Sequence, residues 1–295
     1  MNNKYLSHII IIMFTLILIN PVQGQDYLSK YPDPVFPDSV PRIFAPGVIS
    51  ERMSHEEGIA FSPGGKEIFF TRSVADEEGE EEISILFLEK KGEKWTSPEP
   101  PSFASESNES EPAFSHDGKA LFYFSERRKP GITPYIGEIW KVTRSNGRWS
   151  RPNYHENILN ASWINSISTT SNGTLYYSSY RNKKMGIYYS EVQNGKYQQP
   201  VYLPEEINSV PGATHPFISP DGETLIFEGQ ALGYGNSELY ISFKTSKGHW
   251  TPAQKLNETI SKTLTETNPT LSPDGKYLFF TRNSDIYWVR IEYVF

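Results

Sequence analysis

Seven to nine residues ahead of five evenly spaced glycines (Gly65, Gly118, Gly173, Gly222 and Gly275) stand five triplets: Glu56-Glu57-Gly58, Glu109-Ser110-Glu111, Ile164-Asn165-Ser166, Ala213-Thr214-His215 and Glu266-Thr267-Asn268. Because the glycines mark one phase of a repeat, the triplets are expected to converge on one place in the fold. Carboxylates and imidazole gathered there could do two kinds of chemistry. An acid and a base drawn from Glu56, Glu109, Glu111, His215 and Glu266 could work on a glycosidic bond. Alternatively, oxygen ligands from Glu57, Glu109, Glu111 and Glu266, with His55, Asn165 and Asn268 nearby, could hold a hard divalent cation such as calcium. The same side chains can instead cap strand ends and bond backbone amides around a water-filled channel, with no ligand at all.

The elements that must position these residues are written around each glycine. The five copies read EGIAFSPGGKEIFFTR (57–72), EPAFSHDGKALFYFS (111–125), SISTTSNGTLYYSS (166–179), HPFISPDGETLIFEG (215–229) and NPTLSPDGKYLFFTR (268–282). In the phrase Ser-Pro-Asp-Gly, proline presets the first turn position, aspartate caps the turn, and glycine takes the positive φ that a tight hairpin needs. Two antiparallel strands therefore flank each turn. A third strand follows at Glu138-Ile-Trp140, Gly186-Ile-Tyr188, Glu238-Leu-Tyr240 and Asp285-Ile-Tyr287, with Glu82-Ile83 as a weaker counterpart. A fourth follows a glycine turn that leads to Trp95, Trp149, Tyr197 or Trp250. A repeat of roughly 50 residues built this way predicts an all-β, five-bladed β-propeller of four-stranded blades.

The fifth copy runs out of chain after its third strand. The stretch from Val40 to Ser50 resembles the blade-end stretch from Thr251 to Ser261, so an N-terminal strand is expected to complete the last blade. Pairing first and last segments closes the ring and hides a sheet edge, which predicts a monomer.

With the first strand of each blade innermost, the loops leading into it share one face, the mouth face, with the loops joining strands two and three. The Ser-Pro-Asp-Gly turns occupy the other, the turn face. The mouth-face loops differ most between copies, and they carry Arg127, Arg128, Tyr135, Tyr180, Arg181 and Tyr234, with Trp163 just before the third inner strand. Arginine forks grip carboxylate or sulfate, and aromatic rings stack on sugars, so this group is expected to bind a polysaccharide or an acidic protein surface. The acidic run from Asp76 to Glu82 reads as a solvated hairpin tip.

The phrase P-x-F-S-P-D-G-K-x-L-F-F-T and its following I-Y resemble the WD40-like (PD40) repeat of TolB-type propellers. Gly64 in place of Asp, and Thr170-Ser-Asn in place of Ser-Pro-Asp, depart from it. The resemblance implies a propeller, export to the periplasm or beyond, and roles from protein interaction to domains attached to hydrolases. It carries no shared catalytic residue.

Lys4, the apolar run Ile9–Ile19 and the small residue Gly24 before Gln25 have the layout of a secretory signal peptide. Residues 1–24 are therefore expected to be removed, leaving a proline-rich segment 25–39 and the propeller 40–295 in the periplasm or secreted, with no membrane span. The chain has no cysteine, which excludes disulfides, thiolate metal sites and a cysteine nucleophile. A net charge of -7 argues against a nucleic-acid partner. There is no G-x-S-x-G elbow, H-E-x-x-H helix, P-loop or G-x-G-x-x-G turn. These absences leave a binding module as the expected function, with a glycan hydrolase or lyase as the alternative, and no cofactor beyond the possible cation.

Overall fold

The computed structural model describes residues 30–127, 138–154, 164–230, 236–260 and 265–294. Arg128, Tyr135, Trp163 and Tyr234, and the segment read as a signal peptide, lie outside them. The described chain folds into five small antiparallel sheets arranged as a five-bladed β-propeller. The inner strands are His55–Phe61, Glu109–Phe114, Ile164–Thr169, Thr214–Ile218 and Glu266–Leu271. Each is followed outward by a second strand: Glu67–Ala75, Ala120–Ser125, Leu175–Arg181, Thr224–Gln230 and Tyr277–Arg282.

The turn chemistry explains this regularity. Within each Ser-Pro-Asp-Gly turn the glycine amide donates back to the first serine, as Gly222 does to the Ser219 carbonyl at 2.8 Å. Gly222 sits at φ +75, and a Cβ there would lie 3.4 Å from Thr170 Cγ2 in the neighbouring turn. Gly222→Val therefore combines strain with crowding and is expected to destabilise the protein by about 1 kcal/mol or more, read as a lower midpoint in urea. An unchanged midpoint would overturn this account of the turn.

Ring closure follows the expected route. Arg42–Ile43 forms the outer strand of blade five, with Arg42 opposite Trp288 and Ile43 opposite Tyr287. Phe44 continues the contact by donating its amide to the Ile286 carbonyl at 2.7 Å. An aromatic cluster seals the joint: the Tyr31 ring lies 5.5 Å from Trp288, and Phe44 lies 5.1 Å from the same indole. The segment before residue 40, expected only to be proline-rich, thus supplies core as well.

The outer edges of the blades are less regular than the glycine-tryptophan pattern suggests. In blades one and two the tryptophan caps a short hairpin off the third strand, where Lys90 pairs with Trp95 and Arg144 with Trp149. In blades two, three and four a separate segment downstream then pairs with the third strand: Asn153–Tyr154, Val201–Tyr202 and Gln254–Lys255.

Candidate functional site

Every inner strand carries a β-bulge at the same place. The register with the second strand slips between Glu57 and Ala60, Ser110 and Ala113, Asn165 and Ile167, Thr214 and Phe217, and Thr267 and Thr270. The bulged residues are Gly58, Glu111, Ser166, His215 and Asn268, all at positive φ between 46 and 57. In three blades a proline follows (Pro112, Pro216, Pro269), which suits a position where the ladder needs no donor. Only one of the five is glycine, so four blades hold a side-chain-bearing residue in the sparsely populated left-handed region. Hydroxyls of adjacent blades secure the bulges: the Glu111 amide donates to Thr71 Oγ1 at 3.0 Å and the His215 amide to Ser178 Oγ at 2.8 Å.

The bulges turn polar side chains into a cavity of about 490 Å³ at the channel mouth, lined by His55, Glu57, Glu111, Asn165, His215, Glu228 and Asn268 together with the blade-five hairpin Asn283-Ser284. Below it an apolar shaft of about 270 Å³ runs past Ala60, Ala113, Ile167 and Phe217. Within the mouth, Asn268 Nδ2 donates to Glu111 Oε1 at 2.6 Å. His215 Nδ1 meets Glu228 Oε2 at 2.8 Å, and its Nε2 lies 4.0 Å from Glu111 Oε1. His55 and Glu57 stand 3.8 Å apart and more exposed.

Burial pushes the Glu111 carboxyl up to about 7, and Glu57 and Glu228 add to the rise against the opposing pull of His215 and Asn268. Burial would push His215 down, but its hydrogen bond to Glu228 and the charges of Glu111, Glu228 and Glu57 outweigh it and hold the ring above its usual range. Asn165 pulls the other way. Its Oδ1 accepts the Ser166 amide at 2.9 Å, which aims Nδ2 at His215 Nε2 at 3.1 Å and suits a neutral ring with its proton on Nδ1. Forming the imidazolium therefore requires the Asn165 amide to turn over. The mouth holds one proton-rich group pair, Glu111 and His215, beside a carboxylate, Glu228, that anchors the ring.

Glu111 makes a testable contribution to stability. Its folded pKa lies above its unfolded one, so the native state favours the protonated form, and stability is lost as pH rises through about 7. Glu111→Gln keeps an acceptor for Asn268 and removes the charge. Its unfolding free energy in urea titrations is expected to rise at pH 8, on the order of 2 kcal/mol, with little change at pH 5. Equal shifts at both pH values would overturn the assignment.

The other sequence-derived candidates go elsewhere. Glu56, Glu109 and Glu266 do not line the mouth cavity; they are buried within their blades, each bound by an arginine. Arg72 Nε donates to Glu56 Oε1 at 2.8 Å, Arg127 Nε to Glu109 Oε1 at 2.8 Å, and Arg282 Nε to Glu266 Oε1 at 2.9 Å. Each arginine also donates to a carbonyl of the loop before its blade: Ile49, Phe103 and Ile260 respectively. Burial pushes Glu56 upward and Glu266 up to about 7 despite the arginines. Arg127, expected to face a ligand, is thus held inside blade two. Tyr180 is exposed and Arg181 donates to Ser179 Oγ at 3.0 Å, and neither lines the cavity.

Of the proposed cation ligands, Glu57 and Glu111 remain at the mouth, whereas Glu109 and Glu266 are taken by arginine. Among the described residues, no group of three or more His, Asp or Glu side chains is placed to hold a metal ion. Glu228 was not singled out in the sequence. Its signal is a substitution: Thr71, Ser178 and Thr281 occupy the corresponding place in blades one, three and five.

No protein-family model matches the chain, and no curated protein matches it. Solved structures do. A TolB of Agrobacterium tumefaciens is similar at 17% identity over 77% of this chain and 69% of that one, with a TM-score of 0.50. A gluconolactonase of Xanthomonas campestris is similar at 13% identity over 88% and 97%, with a TM-score of 0.49. An α-L-arabinofuranosidase of Podospora anserina is similar at 10% identity over 86% and 97%, with the same TM-score of 0.49. At such identities a likeness speaks to the fold alone, and what it establishes here is a β-propeller with a TolB-like neighbour.

Proposed function

We propose that this chain is an exported, monomeric propeller of WD40-like repeats that binds a hydroxyl-rich ligand, the end of a polysaccharide, in the mouth cavity. One observation carries the reading: four non-glycine residues accept left-handed backbone at equivalent bulges, and Glu111, His215 and Asn268 thereby meet in one recess. Carboxylates, amides and an imidazole at mixed angles suit a sugar, whose hydroxyls both donate and accept. Arg127 is committed to Glu109, so the support for an anionic ligand is weaker than for a neutral one. A recess of this size also suits a chain end better than a flat protein surface. The N-terminal apolar run supports export.

A polysaccharide panel screened by thermal shift tests the reading, because a ligand of the native state raises the apparent melting temperature. Glu111→Gln and His215→Ala are expected to weaken binding at least tenfold, whereas Lys119→Ala with Lys276→Ala, on the turn face, leaves it intact. No shift with any glycan, or binding that survives both mouth variants, would sink it. Glycan cleavage is a second reading, favoured by one feature: a carboxyl held near pH 7 beside a histidine is poised as a general acid. Release of reducing ends that stops with Glu111→Gln would establish it.

A further inference from the structure

On the turn face, between blades three and four, a groove of about 480 Å³ is lined by Thr174, Tyr176, Tyr189, Lys244, Trp250 and Glu206, among other residues. Two backbone bonds fix its walls: the Ser171 amide donates to the Pro220 carbonyl at 2.7 Å, and the Ala253 amide to the Glu206 carbonyl at 2.9 Å. Inside, the Tyr176 and Tyr189 rings stack at 5.7 Å. Tyr176 and Trp250 are only 4% and 6% exposed. The hydroxyls of both tyrosines and the indole N–H of Trp250 have no hydrogen-bond partner among the described residues, although none of these atoms is sealed from solvent. Polar tips that reach solvent in this way are available to a ligand in place of water.

A comparison within the molecule explains why the groove is open. At the joint of blades one and two, Arg144 lies 3.9 Å over the Trp149 ring. Its two terminal nitrogens fork onto Glu67 at 2.7 and 2.6 Å. At the joint of blades three and four, Lys244 replaces the arginine over Trp250, and Thr174 stands at the place of Glu67, just before the first residue paired with the inner strand. The carboxylate that seals the first joint is therefore missing from the second. The Lys244 ammonium forms no ion pair among the described residues.

We propose that this groove binds an uncharged saccharide ring. The partly exposed Tyr189 ring, backed by Tyr176, offers a surface for the ring's C–H groups. Tyr176 and Tyr189 donate or accept at its hydroxyls, Trp250 and Lys244 donate to them, and Glu206 and Glu191 accept from them. Because Glu191, Glu206 and Asp221 outnumber the single lysine, uronic acids bind more weakly than their neutral counterparts. The site lies on the face opposite the mouth and stands independently of the function proposed there.

Saturation-transfer NMR and calorimetry on the full chain with glucose, galactose, mannose and their uncharged disaccharides test it, at sugar concentrations up to about 10 mM. At least one is expected to bind. Lys244→Met and Tyr189→Phe each weaken that binding at least threefold. Thr174→Glu, which rebuilds the seal of the first joint, weakens it at least tenfold. The proposal is overturned if no uncharged sugar binds, if a uronic acid binds more tightly than its neutral counterpart, or if Lys244→Met and Tyr189→Phe have no effect.

Discussion

A chain that begins at Met53 is expected to lose the closed ring, and with it most of its stability. The removed stretch contains the Arg42–Ile43 strand and three large apolar side chains with almost no exposure: Tyr31, Phe44 and Ile49. Burying one such side chain contributes about 1.5–3 kcal/mol, so the three together are worth on the order of 5–9 kcal/mol. Whole domains are stable by only roughly 5–15 kcal/mol. The truncation also leaves the third strand, with Trp288, as an unpaired edge, which is a template for aggregation, and bares Phe279 and Tyr277 packed beside it. Arg72 loses the Ile49 carbonyl that holds its guanidinium at 2.7 Å. Size-exclusion chromatography and thermal melting should find oligomers or an unfolded chain. A monomer with an unchanged melting temperature would mean that blade five stands without its borrowed strand. Phe44→Ala is a milder check, expected to cost about 3–5 kcal/mol.

The architecture was legible because hairpin turns use few residue types and repeat them. Gly118, Gly222 and Gly275 take the positive φ that their turns require, and the shortage of a fourth strand in the last copy pointed to the N-terminal segment. The candidate site was only half legible, and the bulges are the reason. In a regular strand, residues nine and seven places before the glycine share a face. The bulge falls on the second of them, and its left-handed backbone breaks that alternation. Glu109 therefore goes into the blade toward Arg127, while Glu111, two residues on, goes into the mouth. A bulge has no residue signature of its own, although proline after the bulged residue in blades two, four and five is a trace of it. The arginine partners were visible in principle: Glu56 with Arg72 and Glu266 with Arg282 recur at the same two places of their repeats. Read as a pair, they mark a buried structural bond; read singly, the glutamates looked catalytic.

Arg282→Met is the point substitution that bears most directly on those buried pairs. Arg282 is 6% exposed and Glu266 is fully buried. The arginine spans Glu266 Oε1 and the Ile260 carbonyl at 2.9 and 2.6 Å, while Glu266 Oε2 has no hydrogen-bond partner among the described residues. Removing the guanidinium leaves a carboxylate with neither solvent nor countercharge, a change that costs about 3–5 kcal/mol. The pH dependence separates this cause from lost packing. Burial already pushes Glu266 up to about 7, and losing Arg282, which pulls it down, moves it higher still. A raised carboxyl pKa means that stability present at low pH is lost as pH rises through the folded value. The variant should therefore be destabilised more at pH 8, where ionisation is forced, than at pH 5, where Glu266 is protonated in both proteins. Replacing both partners, Glu266→Leu with Arg282→Met, should restore much of the loss at pH 8, since no buried charge remains. Urea denaturation of the three variants at both pH values reads this out. If the single variant loses the same stability at pH 5 and pH 8, the arginine acts through packing, and Glu266 is not the buried charge described here.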